Sequence, residues 1–181
     1  MLEPLILGMV LDNELTGYDI KKYIEKNFGV FYKASFGSLY PALKRLTARG
    51  FLTAVDKPIG NRQKTFYSIT ESGKTSFFEW LSTPAETLDG TNNMLIKVFF
   101  FDRLADDERE IQLSAYELKN VVYLNKLETL EKKFSQMPNQ ECFYYKLSTL
   151  YYGISVTKKN IEWCNHIRNR KPLKNYIEKG E

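Results

Sequence analysis

A chain of 181 residues with 43% hydrophobic and 14% aromatic side chains can bury a real core, as one ordinary domain or two small ones, which excludes a disordered chain. The formal net charge of +4 permits a nucleic-acid partner, and the spread of charges excludes a transmembrane helix, which needs about eighteen uninterrupted apolar residues. With no basic segment leading into a long apolar run at the N-terminus, a cytoplasmic location is expected and no membrane partner.

Leu2, Leu5, Ile6, Met9 and Val10 recur at helical spacing and predict a first helix over residues 2–12. Asn13 to Gly17 is a polar break in which Thr16 can cap a second helix, with Ile20, Ile24 and Phe28 inward, Lys21, Lys22 and Lys26 outward, and Gly29 as its end. A short connection, Val30 to Ala34, leads to the stretch from Ser35 to Gly50. There Leu39, Leu43 and Leu46 fall on one face of a helix while Lys44, Arg45 and Arg49 lie elsewhere on the cylinder, so one side can pack and another can meet a polyanion. Ser35 or Ser38 can serve as N-cap, Pro41 is tolerated in the first turn if Ser38 is the cap, and Gly50 supplies the stop. Three helices joined by tight links form a helix-turn-helix unit, with the third as the DNA recognition helix.

After Gly50 the period changes to alternation. Phe51 to Val55 predicts a strand, Lys57 to Lys64 a turn-rich loop, and Thr65 to Thr70 a second strand. A hairpin with a basic tip directly after a recognition helix is a wing, from which Arg62 and Lys64 can reach phosphate or the minor groove. Thr70 can cap a fourth helix, Glu71 to Leu81, packing Phe77, Trp80 and Leu81, and Pro84 closes this domain. Charge supports the assignment: Ile20 to Lys64 holds ten Lys/Arg against two acids, whereas Pro84 to the end holds fifteen against fourteen.

The segments LILGMVL, GYDIKKYIEKNFG, SFGSLYPALKRLTARGFL, GNRQKTFYSITESGK and FFEWL resemble the winged helix-turn-helix of the PadR family of bacterial transcription regulators over about residues 2–83. The most specific parts are Leu39-Tyr40-Pro41-x-Leu43-x-x-Leu46 followed by Gly50, and Tyr67-x-Ile69-Thr70-x-x-Gly73 after the wing. The resemblance implies that Ser35, Ser38 and Tyr40 lie against double-stranded DNA and that Tyr18 touches a phosphate. Lys44, Arg45, Arg62 and Lys64 are the candidates for phosphate or groove contacts, with Lys21, Lys22 and Lys33 as peripheral help. It also implies a regulator, usually a repressor, and a small aromatic or hydrophobic effector in several members. Sequence alone leaves a rival reading, a winged helix that binds an acidic protein partner.

The second half reads as helical. Asn92 to Leu104 carries Leu95, Val98 and the run Phe99-Phe100-Phe101, and Asp106-Asp107 puts negative charge where the next helix begins. From about Asp107 to Ser135, Leu113, Tyr116, Asn120, Tyr123, Leu127, Leu130 and Phe134 follow spacings of three and four, a seam that buries itself against another helix. Asn120 is either a solvated break in that repeat or a buried polar residue that fixes register. After Pro138, Asn139 or Gln140 opens a last long helix with Phe143, Leu147, Leu150, Ile154 and Ile161 on one side, and the two can form an antiparallel hairpin. Such a hairpin exposes more apolar face than a small domain can cover, so a homodimer is expected, with Leu113, Tyr116, Tyr123, Leu127, Leu130 and Phe134 at its interface. The expected fold is therefore mainly α with a small β-hairpin: a winged helix-turn-helix over residues 1–84 and an antiparallel α-helical dimerisation and effector domain over residues 85–181.

Catalytic chemistry has no foothold. His166, the single histidine, sits beside Arg168, Arg170 and Lys171 in what reads as a solvated basic helix end. No Gly-rich phosphate loop, metal-spaced His/Cys set or nucleophile motif is present, so no cofactor and no metal are expected. Cys142 and Cys164 are 22 residues apart, about 33 Å on a continuous helix, and read as reduced.

Overall fold

The computed structural model of the chain describes residues 2–28, 36–60, 62–84, 91–138 and 140–174. Its elements are α1 (Leu2–Met9), β1 (Leu15–Thr16), α2 (Gly17–Phe28), α3 (Phe36–Ala48), β2 (Leu52–Ile59), β3 (Arg62–Ile69), α4 (Glu71–Ser82), α5 (Thr91–Phe99), a 3-10 turn (Phe101–Arg103), α6 (Asp106–Ser135), a second 3-10 turn (Gln140–Phe143) and α7 (Tyr144–Arg168). They gather into two units, α1 to α5 with the first 3-10 turn, and α6 with α7. The fold class is as expected, a winged helix followed by a helical hairpin, and α5, beyond residue 84, gathers with the first unit.

In the first unit the three leucines of α3 are buried together with Leu5, Ile6, Ile20, Ile24 and Phe28, so three short amphipathic helices share one core. Thr16 caps α2 as expected: its Oγ1 accepts the Asp19 N–H at 3.2 Å and donates to the Asp19 carboxylate at 2.6 Å. Helix α3 ends in a Schellman turn. Gly50 has φ +73°, its N–H reaches the Thr47 carbonyl at 3.0 Å, and the Phe51 N–H reaches the Leu46 carbonyl at 2.9 Å. The start of α3 differs from expectation. With Phe36 as its first residue, Pro41 is not in the first turn but inside the helix, where it leaves the Gly37 carbonyl without the usual donor four residues on. Ser35, the other cap considered, and the connection from Val30 to Ala34 lie outside the described residues.

The sheet has the order β1-β3-β2 and is antiparallel throughout. Two points depart from the sequence reading. The ladder between β2 and β3 continues to Ile59↔Arg62, so Lys57 to Lys64 is mostly strand, not loop, and the wing is a stiff ribbon. Pro58 is tolerated in it because β2 is an edge strand. The two-residue β1, paired through Leu15↔Tyr67 and Thr16↔Phe66, was not foreseen, because two residues display no period.

Helix α5 joins the first unit through aromatic packing and one buried cation. Phe99 lies 4.5 Å from Phe28 between ring centroids, and Phe100 lies 5.3 Å from Phe77. An added Cβ at Gly8 of α1 would sit 2.6 Å from the Phe100 ring, so α1 must be bare there. Lys97 is only 1% exposed and its ammonium donates to the carbonyls of Trp80 and Thr83 at the end of α4, 4.6 Å from the Trp80 ring centroid. A cation at a helix C-terminus meets the free carbonyls and the negative end of the dipole, while burial pushes the Lys97 pKa down to about 8.

In the second unit, α6 and α7 form the expected antiparallel hairpin. Asn120 is buried at 1% exposure; its Nδ2 donates to the Tyr116 carbonyl at 2.8 Å and its Oδ1 accepts from Asn160 Nδ2 at 3.1 Å. It is thus a polar register pair within one chain. Tyr116 meets Trp163 edge-on, Phe134 meets Phe143, and Arg168 bridges Glu110 at 3.0 Å and Glu117 at 2.7 Å. The seam consequently faces α7. Leu113 and Tyr116 are buried inside the chain, Leu127 and Phe134 are half-buried, and only Tyr123 and Leu130 remain exposed. His166 also corrects its expectation: it is buried, with Nε2 3.0 Å from the Pro172 carbonyl. Cys164 is buried on α7 and Cys142 is exposed on the turn before it; both are free.

Two substitutions test the joints of the first unit. At Gly73 an added Cβ would meet the Phe51 carbonyl oxygen at 2.2 Å, a backbone atom that cannot swing aside. Gly73→Ala, which would gain up to about 1 kcal/mol on an open helix, is expected instead to lose about 2 kcal/mol in urea unfolding through overpacking. Pro41→Ala restores a donor for the Gly37 carbonyl and should raise stability by about 1 kcal/mol or more in the same measurement; no gain would place the helix start at Ser38.

Candidate nucleic-acid interface

The exposed arc of α3 follows from its leucines. At about 100° per residue, Gly37, Pro41, Lys44 and Ala48 lie in its middle, Tyr40 on one edge, and Ser38, Arg45 and Arg49 on the other. All eight are exposed. Three of the four central residues are short, so a polyanion groove can approach the helix closely, and Lys44 is the one long side chain projecting from the centre.

The Tyr40 edge faces α2 and the wing. An added Cβ on Gly17 would touch the Tyr40 ring at 3.0 Å, which shows how closely the start of α2 approaches α3. Tyr18, the next residue, is 62% exposed, and Tyr40 is 48% exposed. Thr16, Tyr18, Tyr40, Lys64, Thr65 and Tyr67 line a shallow concavity of about 210 Å³. Tyr40 is therefore a surface residue and not part of the core. Tyr67, which the sequence places in the motif after the wing but not among the candidate contacts, is a further member of this group. Alternation along β3 puts Thr65 and Tyr67 on one face and could have found it. Its phenol is held above the ordinary tyrosine range by burial, and then by Tyr40 and Asp56 nearby.

On the wing, Lys57 stands across the ladder from Lys64. Like charges opposite one another repel, and Lys57 is drawn away by Glu14 at 2.5 Å and by the Phe66 ring at 5.2 Å. Lys64 is left exposed beside the concavity. Among the described residues, Lys44, Arg62 and Lys64 have no acidic partner. The other edge of α3 differs: Arg45 Nε donates to Glu3 at 2.8 Å and Arg49 Nη1 to the same carboxylate at 3.1 Å. Two candidates for groove contacts thus fall into different electrostatic settings, Lys44 open and Arg45 paired. Ser35 lies outside the described residues, while Ser38 is exposed in the first turn.

Burial pushes the Cys164 thiol up to about 12, which keeps it protonated and inert. The first unit does hold a cavity of about 550 Å³ beside α1 and α2, with Tyr23, Phe99 and Phe100 as aromatic walls and the Asp12–Arg103 ion pair at its side.

Residues 6–79 match the PadR-like family of transcriptional regulators, and residues 92–170 match the family described as virulence activator alpha C-terminal. The negative transcriptional regulator PadR of Bacillus subtilis is 34% identical over 112 residues, which cover 60% of either chain. The transcriptional regulator Rv3488 of Mycobacterium tuberculosis is 31% identical over 74 residues, 41% of this chain and 66% of the relative. The chain therefore aligns with somewhat under two thirds of the length of these curated relatives. Among solved structures, Bacillus subtilis PadR in complex with operator DNA is similar at 27% identity and a TM-score of 0.47, across 93% of this chain and 96% of that one. With a winged helix over the first matched segment and a helical hairpin within the second, the chain carries a domain of the PadR-like family of transcriptional regulators.

Proposed function

We propose that this chain is a DNA-binding repressor that grips an inverted-repeat operator as a homodimer and is released by a small aromatic or hydrophobic effector. The observation that carries the DNA reading is the concavity that gathers Tyr18, Tyr40 and Lys64, with Lys44 one turn along α3 from Tyr40 and Arg62 two residues along β3 from Lys64; the three cations have no acidic partner among the described residues. Cations without partners condense on a polyanion and release its counterions. Phosphate contacts from the wing and from Tyr18 orient the helix, and Lys44 is the residue placed to reach base edges. A protein of this kind works where the chromosome is, in the cytoplasm.

Dimerisation rests on α6. Around that helix, Ile111, Leu118 and Val122 fall on the side opposite Asn120 and Leu127, and all three are exposed, Leu118 at 64%. A long helix with one apolar face spent on α7 and a second left open calls for another helix, and a second copy supplies an identical one. Leu113 and Tyr116, already buried in the hairpin, contribute to that contact by supporting α6; Tyr123 and Leu130 border it, and Leu127 and Phe134 stay with α7. Two copies related by a two-fold axis imply half-sites about one turn of duplex, roughly 10 bp, apart. For an effector, the cavity walled by Tyr23, Phe99 and Phe100 offers aromatic faces and a volume of about 550 Å³, within the range of small-molecule sites.

The deciding experiment is an anisotropy titration on the DNA immediately upstream of the protein's own gene, against a scrambled duplex, with salt varied and aromatic ligands added to any complex. Tight binding with a duplex preference and a log–log salt slope of about −0.9 per phosphate contact is expected, and Lys64→Ala should lower affinity on every duplex and flatten the slope by about one contact. Equal binding to both duplexes would leave only a basic surface and favour an acidic protein partner. For the dimer, Leu118→Asp should shift sedimentation from dimer to monomer with helix content kept; an unaffected dimer would put the contact on another face.

A further inference from the structure

The α1 edge of the recognition helix carries two guanidinium groups one turn apart, Arg45 and Arg49, and both are occupied by one carboxylate. Glu3, in the first turn of α1, accepts from Arg45 Nε through Oε1 at 2.8 Å and from Arg49 Nη1 through Oε2 at 3.1 Å. The arginine side chains remain 58% and 56% exposed, so a phosphate can reach them, whereas Glu3 is only 25% exposed and sits behind them. Arg49 is also laid over the Phe51 ring at 4.5 Å, so its place does not depend on Glu3 alone. On the wing Glu14 engages Lys57 in the same way, but no acidic residue plays this part at Lys44, Arg62 or Lys64, among the described residues.

We propose that Glu3 sets the DNA affinity of this surface by occupying Arg45 and Arg49 in the place a backbone phosphate would take. The proposal rests on the DNA-binding reading given above. A guanidinium presents the same planar fork to a carboxylate as to a phosphate, so the two compete for one geometry. The pair is exposed and contributes little to the fold, so a phosphate can displace it. Each displacement, however, exchanges one anion for another and gains far less than a free arginine would, and it leaves the Glu3 charge close to the DNA. The α1 edge is thus partly neutralised, while Arg62 and Lys64 on the wing keep their charge.

The test uses the full-length chain and the preferred duplex from the titration above. Glu3→Gln keeps the shape and removes the charge; Glu71→Gln removes an equally acidic group from α4, 89% exposed and paired with Lys74, and controls for net charge. Glu3→Gln should bind about tenfold more tightly at low salt across two half-sites, with a slope steeper by up to about 0.9 for each arginine released, and the gain should fade as salt rises. Glu71→Gln should stay near wild type. Arg45→Ala should cost more affinity in the Glu3→Gln background than in wild type, a coupling that a merely structural Glu3 would not produce. Glu3→Asp, whose shorter carboxylate cannot span both arginines, should fall between. An affinity unchanged or weakened in Glu3→Gln, or an equal gain from Glu71→Gln, overturns the proposal while leaving the DNA reading standing. Loss of all salt-dependent DNA binding by the wild-type chain overturns both.

Discussion

Everything in the winged helix depends on the turn at Gly50. The left-handed φ of +73° lets α3 stop at Ala48 and β2 start at Leu52 with three residues between them, and the Gly50 and Phe51 carbonyls then receive α4. Gly50 oxygen accepts from Thr70 Oγ1 at 2.7 Å and Ser72 Oγ at 2.9 Å; Phe51 oxygen accepts the Thr70 N–H at 3.1 Å. Thr70 Oγ1 in turn accepts the Gly73 N–H at 3.1 Å as the N-cap of α4. Gly73 has no Cβ, and that is what lets α4 begin against Phe51. The end of the recognition helix, the base of the wing and the start of α4 therefore share one set of backbone hydrogen bonds. A helix and a hairpin joined this way cannot swing independently, so Tyr40 and Lys64 meet in one concavity by construction and not by side-chain adjustment.

The joint between α4 and α5 is made by a different device. Lys97 sits in the apolar stretch Met94-Leu95-Ile96-Lys97-Val98, where a sequence reader sends the charge to solvent. Burying an ammonium costs heavily unless it is matched by hydrogen bonds. Here the match is a helix end: the carbonyls of Trp80 and Thr83 have no helical donor left, and Lys97 supplies one. The residual cost of burial is visible in the lowered pKa of about 8. This arrangement fixes α5, which follows Pro84 in the chain, to the first unit.

Legibility in the sequence tracked the length over which a constraint repeats. The leucines of α3, the Thr16 and Thr70 caps and the Gly50 stop are local and periodic, and each was readable. The helix start was not, since two serines offered equal caps and Pro41 favoured the wrong one. On α6 the spacings of three and four were correctly seen but admit two phases: Tyr123 and Leu130 fit a 3.5-residue period, while the hairpin of a 3.6-residue helix leaves both exposed. A periodic stripe also cannot say whether its partner is in the same chain. Asn120 finding Asn160, and Arg168 finding Glu110 and Glu117, are facts of tertiary pairing that composition does not encode. The pairing of Glu3 with Arg45 and Arg49 belongs to the same class, across more than forty residues of chain.

The proposed operator binding then has a consequence for how affinity is assembled. Each recognition helix offers a centre of short residues with one projecting cation, one edge open through the wing, and one edge engaged by Glu3. Such a surface makes few unopposed phosphate contacts, so a single copy should hold DNA weakly and lose it readily with salt. In the proposed dimer, linking two copies through α6 would turn the second contact into an intramolecular one and multiply the effective affinity without any new side chain. Weak half-sites joined in the proposed dimer are also easily undone: a change in the spacing of the two recognition helices would forfeit the gain from linkage, not merely one contact. The apolar outer face of α6 and the restrained charge of α3 are therefore complementary requirements, and a regulator that must release its operator needs both.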